Sequence, residues 1–401
     1  MSSHSPSPIG PPHRGVAPFF LSSFAWNFTL GMTYILIPLY ARSLGMAGLA
    51  IGMLVALPIM LQIGVTLTGG ALTDRVGGKN MAMTACALSC IASMVFMASA
   101  GFALMFGAQL LMVMSRALFW PATWSLASQL PGSTSVQMGR LNGVTNAGQI
   151  AGTAAGGFII AEAGFRFGFG VMAVIGFVAL LFNQLYRHAG AIRRAPAEPV
   201  FATYRMLIGK RVMRYGILCA YISALPMSLS FSFYPILLVE QGIDSNTTGT
   251  LIALRGVGAV LAGFSAGYLM KQVSGIRVPF ISAMLVGLSV VAAATVSSPA
   301  LIGVFLFALG AGSAITTLYF QMLISLVSTK ETRGSAMALG SMGWAISHLT
   351  TPLAMGVLND YIGIHLAFYI MGGFALLCGF ALVPLRRWAF GAEPMGTRDA
   401  V

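Results

Sequence analysis

Between residues 17 and 385 the sequence divides into twelve apolar stretches, each close to the length that crosses a lipid bilayer. A helix needs about 20 apolar residues for that crossing. The stretches are 17–41, 48–72, 81–100, 103–128, 140–163 and 167–186, then 214–240, 247–270, 279–297, 300–327, 334–358 and 365–385. Only 8% of the residues are charged, against about 25% in soluble domains. Such a chain cannot cover itself with charge, and an all-α membrane protein of twelve transmembrane helices follows. A polar stretch, 187–213, separates six spans from six and holds Arg187, His188, Arg193, Arg194, Pro196, Pro199, Lys210 and Arg211. The expected organisation is a disordered Pro/Ser-rich tail over 1–15, a six-helix bundle over 16–186, a linker over 187–213, a second bundle over 214–388 and a tail over 389–401.

Lys and Arg set the orientation, because cytoplasmic loops retain them. With both termini in the cytoplasm, the inner segments hold 18 of the 22 basic residues and the outer loops hold Arg42 and Arg166. Arg116 and Arg255 remain inside spans. The net charge of +13 therefore belongs to the membrane topology, and no aromatic-interleaved basic face suggests nucleic acid. The N-terminal stretch lacks a basic start followed by a small-residue cleavage site. Cys86 and Cys90 share a helix face, but no His or acid lies near them in sequence, so apolar packing is the plainer reading than a metal site.

Six of the apolar positions repeat at a fixed offset. Gly52, Leu54, Ala56 and Leu57, with Gly70 and Leu72, recur as Gly249, Leu251, Ala253 and Leu254, with Gly267 and Leu269, 197 residues later. Two similar bundles have a natural solute site between them and a natural motion, rocking about it.

The loop after the second stretch reads Gly70-Ala-Leu72-Thr-Asp74-Arg75-Val-Gly77-Gly78-Lys79. It resembles the signature of the major facilitator superfamily, G-x-L-x-D-R-x-G-x-K/R, with Gly78 where the family usually has Arg. The resemblance covers residues 16–388 and implies two pseudo-symmetric six-helix bundles, the major facilitator fold. It also implies a cytoplasmic latch built on Gly70, Asp74, Arg75, Gly77 and Lys79. In it Asp74 docks on the positive end of the helix that starts near Gly334 and Ser335. The second half carries a worn copy, with Lys271 and Gln272 in place of the Asp-Arg pair. Gly139, Gly148, Gly152, Gly156 and Gly157 resemble a pattern associated with the superfamily's exporters, G-x8-G-x3-G-P-x2-G-G, with Thr153 in place of Pro. Small residues at this spacing also make an ordinary packing groove, which has no bearing on direction. Gly334 and Gly343 echo the pattern in the eleventh stretch.

By the same resemblance, the first, fourth, seventh and tenth spans line the central path. The cavity candidates are Asn27, Tyr34, Arg116, Trp120, Tyr234, Arg255 and Gln321. Each taken singly is equally a packing residue. An Arg inside a span is costly and should face a cavity or a partner, although Arg255 could instead snorkel toward the outer surface. None of the nine acids falls at the centre of a span. Two cations without an acid at matching depth point to an anionic solute. The candidate proton sites are Glu162, Glu240 and His348, the last also readable as hydrogen-bonded filler.

These features describe a monomeric secondary carrier that exports a small organic solute by alternating access, an antiporter coupled to H+, in a bacterial inner membrane. A facilitative or importing carrier, or a sensor that has lost transport, remains the alternative. The chain carries no P-loop, since Gly78-Lys79-Asn80 and Gly209-Lys210-Arg211 both miss the pattern. No catalytic constellation, cofactor motif or metal spacing stands out, so an enzyme is not expected.

Overall fold

The computed structural model describes residues 16–65, 77–186, 200–272, 277–329 and 332–390. Among these residues the secondary structure is helical, with no strand. Helices α1 (Val16–Ser43), α2 (Gly48–Ala56), α3 (Gly78–Ala98), α4 (Phe102–Ser128) and α5 (Thr134–Leu185) make the first half. A short helix α6 (Val200–Gly209) falls inside the stretch read as the linker. The second half comprises α7 (Arg211–Ser230), α8 (Tyr234–Glu240), α9 (Ser245–Gln272), α10 (Arg277–Thr295), α11 (Pro299–Val327), α12 (Arg333–Gly340), α13 (Met342–Ile362) and α14 (Ile364–Phe390). Ten helical stretches among the described residues are long and apolar enough to cross a membrane, that of α2 running on to Val65.

Local chemistry explains where helices divide. At 52 residues, α5 would be about 78 Å long if straight, more than twice the hydrocarbon thickness. It turns back at Gly164, whose φ of 78° suits a residue without a Cβ. That break separates the stretches expected as spans five and six. The seventh stretch is split between α7 and α8, where Pro235 supplies no N–H for the helix ladder. The eleventh is split at Ser341 between α12 and α13.

The apolar core is forked. Toward the rim remote from Val16 and Phe390 it is one cluster drawn from both halves, including Leu36, Leu54, Phe96, Phe169, Leu237, Leu306, Met355 and Phe368. Toward the rim that carries the chain ends it becomes two clusters. One is almost wholly from the first half, around Phe19, Trp26, Phe119 and Leu126, with Phe231 as its one buried member from the second. The other is from the second half, around Tyr215, Tyr319, Phe320 and Leu323, with Leu207 of α6 packed into it.

Candidate functional site: the layer between the two halves

Three helix pairs join the halves on the far rim: α1 with α8, α2 with α13, and α5 with α9. Arg42, at the end of α1, pairs with Glu240, at the end of α8. Asp360, at the end of α13, accepts hydrogen bonds from the N–H groups of Gly48 (2.6 Å) and Leu49 (2.8 Å). Ala47, the residue before α2, has a methyl side chain that cannot cap the helix. The opposite half therefore supplies its cap, and a carboxylate at a helix N-terminus is favoured by both the free N–H groups and the helix dipole.

Glycines let the backbones cross at these junctions. A Cβ on Gly52 would overlap the Pro352 carbonyl, and one on Gly157 would overlap the Ser245 carbonyl and crowd Gly249. Gly148, Gly152 and Gly156 instead face α1, against Phe24, Phe28 and Met32. Gly139 has open space around it. Gly343 packs on the Ile217 carbonyl of α7, much as Gly148 packs on the Phe24 carbonyl of α1. Thr153, at the place where the exporter pattern has Pro, donates its hydroxyl to the carbonyls of Gly31 (3.1 Å) and Gln149 (2.8 Å), tying α5 to α1.

Below this rim lies a polar layer. Gln149 Nε2 donates to the Tyr34 hydroxyl at 2.7 Å. The Tyr34 ring contacts Phe231 at 5.9 Å between centroids, and Phe231 meets His348 edge-on at 5.0 Å. His348 Nδ1 bonds the Ser228 hydroxyl at 2.6 Å. Arg116 and Arg255 both lie within electrostatic reach of Tyr34 and of His348, and Arg255 also reaches Tyr234. The structure thus gathers Tyr34, Arg116, Tyr234, Arg255 and His348 from both halves. Arg255 is 7% exposed and does not reach a surface, so the snorkelling alternative falls. The buried Nε atoms of Arg116 and Arg255 and the buried hydroxyl of Tyr234 have no hydrogen-bond partner among the described residues.

The remaining sequence candidates are placed apart from that cluster or beside it. Asn27 is buried and donates Nδ2 to the Ser23 carbonyl of its own helix at 2.9 Å. Trp120, one turn beyond Arg116, meets Trp26 edge-on at 6.1 Å. Gln321 is half-buried on α11. Glu162 is exposed near the Gly164 break, and Glu240 is held at the rim by Arg42. Gln149, which the sequence did not single out, joins the layer through Tyr34, and Ser228, a polar residue of the seventh span that also offers itself to the path, joins it through His348. Polar residues within apolar spans were the available signal for both.

Of the signature loop, Gly70, Asp74 and Arg75 lie outside the described residues. Gly77 has a φ of 86° and starts the turn into α3. Lys79 donates to the Gln184 carbonyl at 3.1 Å, a cation at the carbonyl end of α5. Gly78, where the family usually has Arg, sits beside Leu126 with a would-be Cβ at 3.2 Å.

The chain also resembles known proteins. It is 25% identical to the quinolone resistance protein NorA of Staphylococcus aureus over 161 residues, 40% of this chain, and so spans 41% of that relative's length. It is 23% identical to the multidrug resistance protein MdtG of Klebsiella pneumoniae (strain 342) over 383 residues, 91% of this chain and 92% of the relative. Its backbone follows that of a mutant of the nucleoside transporter NupG, with a TM-score of 0.80 at 11% identity over 92% of this chain and 99% of the other. It also follows that of a D-xylose-proton symporter, at 0.73 and 13% over 92% and 97%. A family model described as Major Facilitator Superfamily matches residues 19–220 and again 216–394. With both halves matched, the chain belongs to the major facilitator superfamily.

Proposed function

We propose that this protein exports a small organic solute across a bacterial inner membrane by alternating access, with a proton gradient as the driving force. The forked core carries the reading. One apolar cluster closes the far rim across both halves, while two separate clusters lie toward the chain ends. Rocking about the polar layer would exchange the joined rim for the divided one. With both termini in the cytoplasm, as the Lys and Arg distribution favours, this conformation is closed to the outside. Asp74 and Arg75 would then form the opposing latch on the cytoplasmic rim.

Export is favoured over import by the glycine pattern of α5 and by the likeness to two resistance proteins. The solute would sit between Tyr34, Arg116, Tyr234, Arg255 and His348, and the two arginines favour an anionic one. Glu162, Glu240 and His348 are the groups through which a proton could act.

The test is transport of a compound panel in everted vesicles from a strain lacking its main pumps, with Asp74→Asn as a control. Uptake into everted vesicles should be abolished by a protonophore and should persist without ATP. Uptake that needs ATP, or solute entry only in right-side-out vesicles, would overturn the export reading.

A further inference from the structure

The polar layer offers hydrogen-bond donors and electropositive charge with little to accept or neutralise them. The four acids among the described residues are Glu162, Glu240, Asp244 and Asp360, and all four are exposed. None is therefore available to Arg116 or Arg255 in the interior. Buried charge without a partner is costly, on the order of several kcal/mol per ion, and is retained where something else supplies the counter-charge. The two tyrosines extend the argument. The oxygen of Tyr34 already accepts from Gln149 Nε2, so its own proton remains to be donated. Tyr234 is fully buried with an unpartnered hydroxyl. Ser228 occupies the one ring nitrogen of His348 that the layer binds. Beside these donors stands the aromatic ring of Phe231, against Tyr34 on one side and His348 on the other.

We infer that the layer is a binding site for an oxyanion with an apolar body, a carboxylate or phosphate group clamped by Arg116 of the first half, Arg255 of the second, and the hydroxyls of Tyr34 and Tyr234. This rests on the carrier reading above and names the class of solute it moves. Guanidinium–oxyanion bonds are the strong, geometry-selective ones among hydrogen bonds. Because one arginine comes from each half, the bound anion holds charge from both sides of the interface around which the halves rock. An organic cation would meet two like charges, so the site discriminates by repulsion as well as attraction.

The experiment uses the purified full-length protein in phosphate-free detergent, with tryptophan fluorescence as the signal. Benzoate and phenyl phosphate are the anionic probes, and tetraphenylphosphonium is a cation of comparable apolar bulk. Both anions should bind saturably and the cation should not. Arg116→Gln and Arg255→Gln should each weaken anion binding by about tenfold or more. Arg116→Lys and Arg255→Lys, which keep the charge but lose the fork, should lose less. Tyr34→Phe and Tyr234→Phe should weaken binding by about three- to tenfold with an unchanged unfolding midpoint, which separates lost donation from lost folding. Anion binding that survives both Arg→Gln changes overturns the proposal, as does absence of anion binding to the folded wild-type protein. If tetraphenylphosphonium binds and is transported while the anions do neither, the oxyanion site falls and the carrier reading stands. If everted vesicles transport no compound of the panel, the carrier reading fails on its own.

Discussion

The repeated glycines Gly52 and Gly249 occupy two matching crossings between the halves, yet the two crossings are held differently. At the first, α2 lies on α13 through Gly52 and Pro352, and its N-terminus is capped by Asp360 from the other half. At the second, α9 lies on α5 through Gly249 and Gly157, and α9 is capped locally, by Asp244 accepting from the Thr247 N–H at 2.9 Å. One crossing therefore couples a helix cap to closure of the rim; opening it leaves two N–H groups and a carboxylate without each other. The other keeps its cap whether the halves meet or part, and relies on close packing, of Gly157 on Gly249 and of Ile150 on Gly256. The difference teaches that sequence symmetry fixes where backbones touch but not which contacts resist separation.

The largest effect should come from filling the packed crossing. Gly157→Leu would drive a side chain into the Ser245 carbonyl and the Gly249 Cα, both backbone atoms that cannot rotate away. Overpacking costs about 1–3 kcal/mol where neighbours can adjust, and here the expected result is loss of the closed rim. Transport should fall by about tenfold or more, with a lower unfolding midpoint in detergent. Wild-type flux in Gly157→Leu would show that the crossing is looser than its geometry. Gly139→Leu is the control, since nothing lies near that position.

Next in size is the capped crossing. Asp360→Ala removes the acceptor for Gly48 and Leu49 and should cost the closed rim about 1 kcal/mol, roughly a fivefold shift in the closed-to-open ratio. Spin labels at Ala47 and Tyr361, both exposed, would read this as a distance distribution moved to longer separations. Asp244→Ala should leave that distribution where it is, because its cap lies within one half. Equal shifts in the two variants would erase the distinction between the crossings.

Much of the fold was legible because membrane crossing imposes length. Stretches of about 20 apolar residues between polar breaks had to become helices, and the turn at Gly164 falls between the stretches ending at 163 and starting at 167. Breaks inside stretches seven and eleven were harder to see, since a helix divided at Ser341 leaves no change in hydropathy. The central layer was legible residue by residue and not as a group. Arg116 stood out because charge within a span is rare. The facing of Arg255 could not be read, because in a span apolar on all sides no amphipathic stripe marks the inward face. The Asp360 cap joins groups more than 300 residues apart, and its only local trace is that α2 begins without a capping residue of its own.

A smaller effect belongs to the ion pair beside the capped crossing. Arg42 and Glu240 are substantially exposed, so the pair should contribute about 0–1 kcal/mol and less at high salt. Arg42→Gln should therefore shift the Ala47–Tyr361 distances less than Asp360→Ala does, and the remaining shift should vanish in concentrated salt. A larger effect than that of Asp360→Ala would move the weight of rim closure from the helix cap to the salt bridge.

The smallest effect is a pH dependence at the locally capped crossing. The Thr247 hydroxyl and N–H hold the Asp244 carboxyl below the ordinary carboxylate range. A carboxyl depressed in the folded state lends stability that is present above its unfolded value, about 3.9, and is lost as pH falls through the lower folded value. The start of α9 should therefore keep its amide protection between pH 7 and pH 5, and lose it only on further acidification. Hydrogen exchange of the Thr247 and Thr248 amides, followed by mass spectrometry and corrected for intrinsic rates, checks this. Asp244→Asn should remove the acid step without changing the Ala47–Tyr361 distances. If that substitution also opened the capped crossing, the two junctions would be one cooperative unit, and the contrast between a coupled cap and an independent one would be lost.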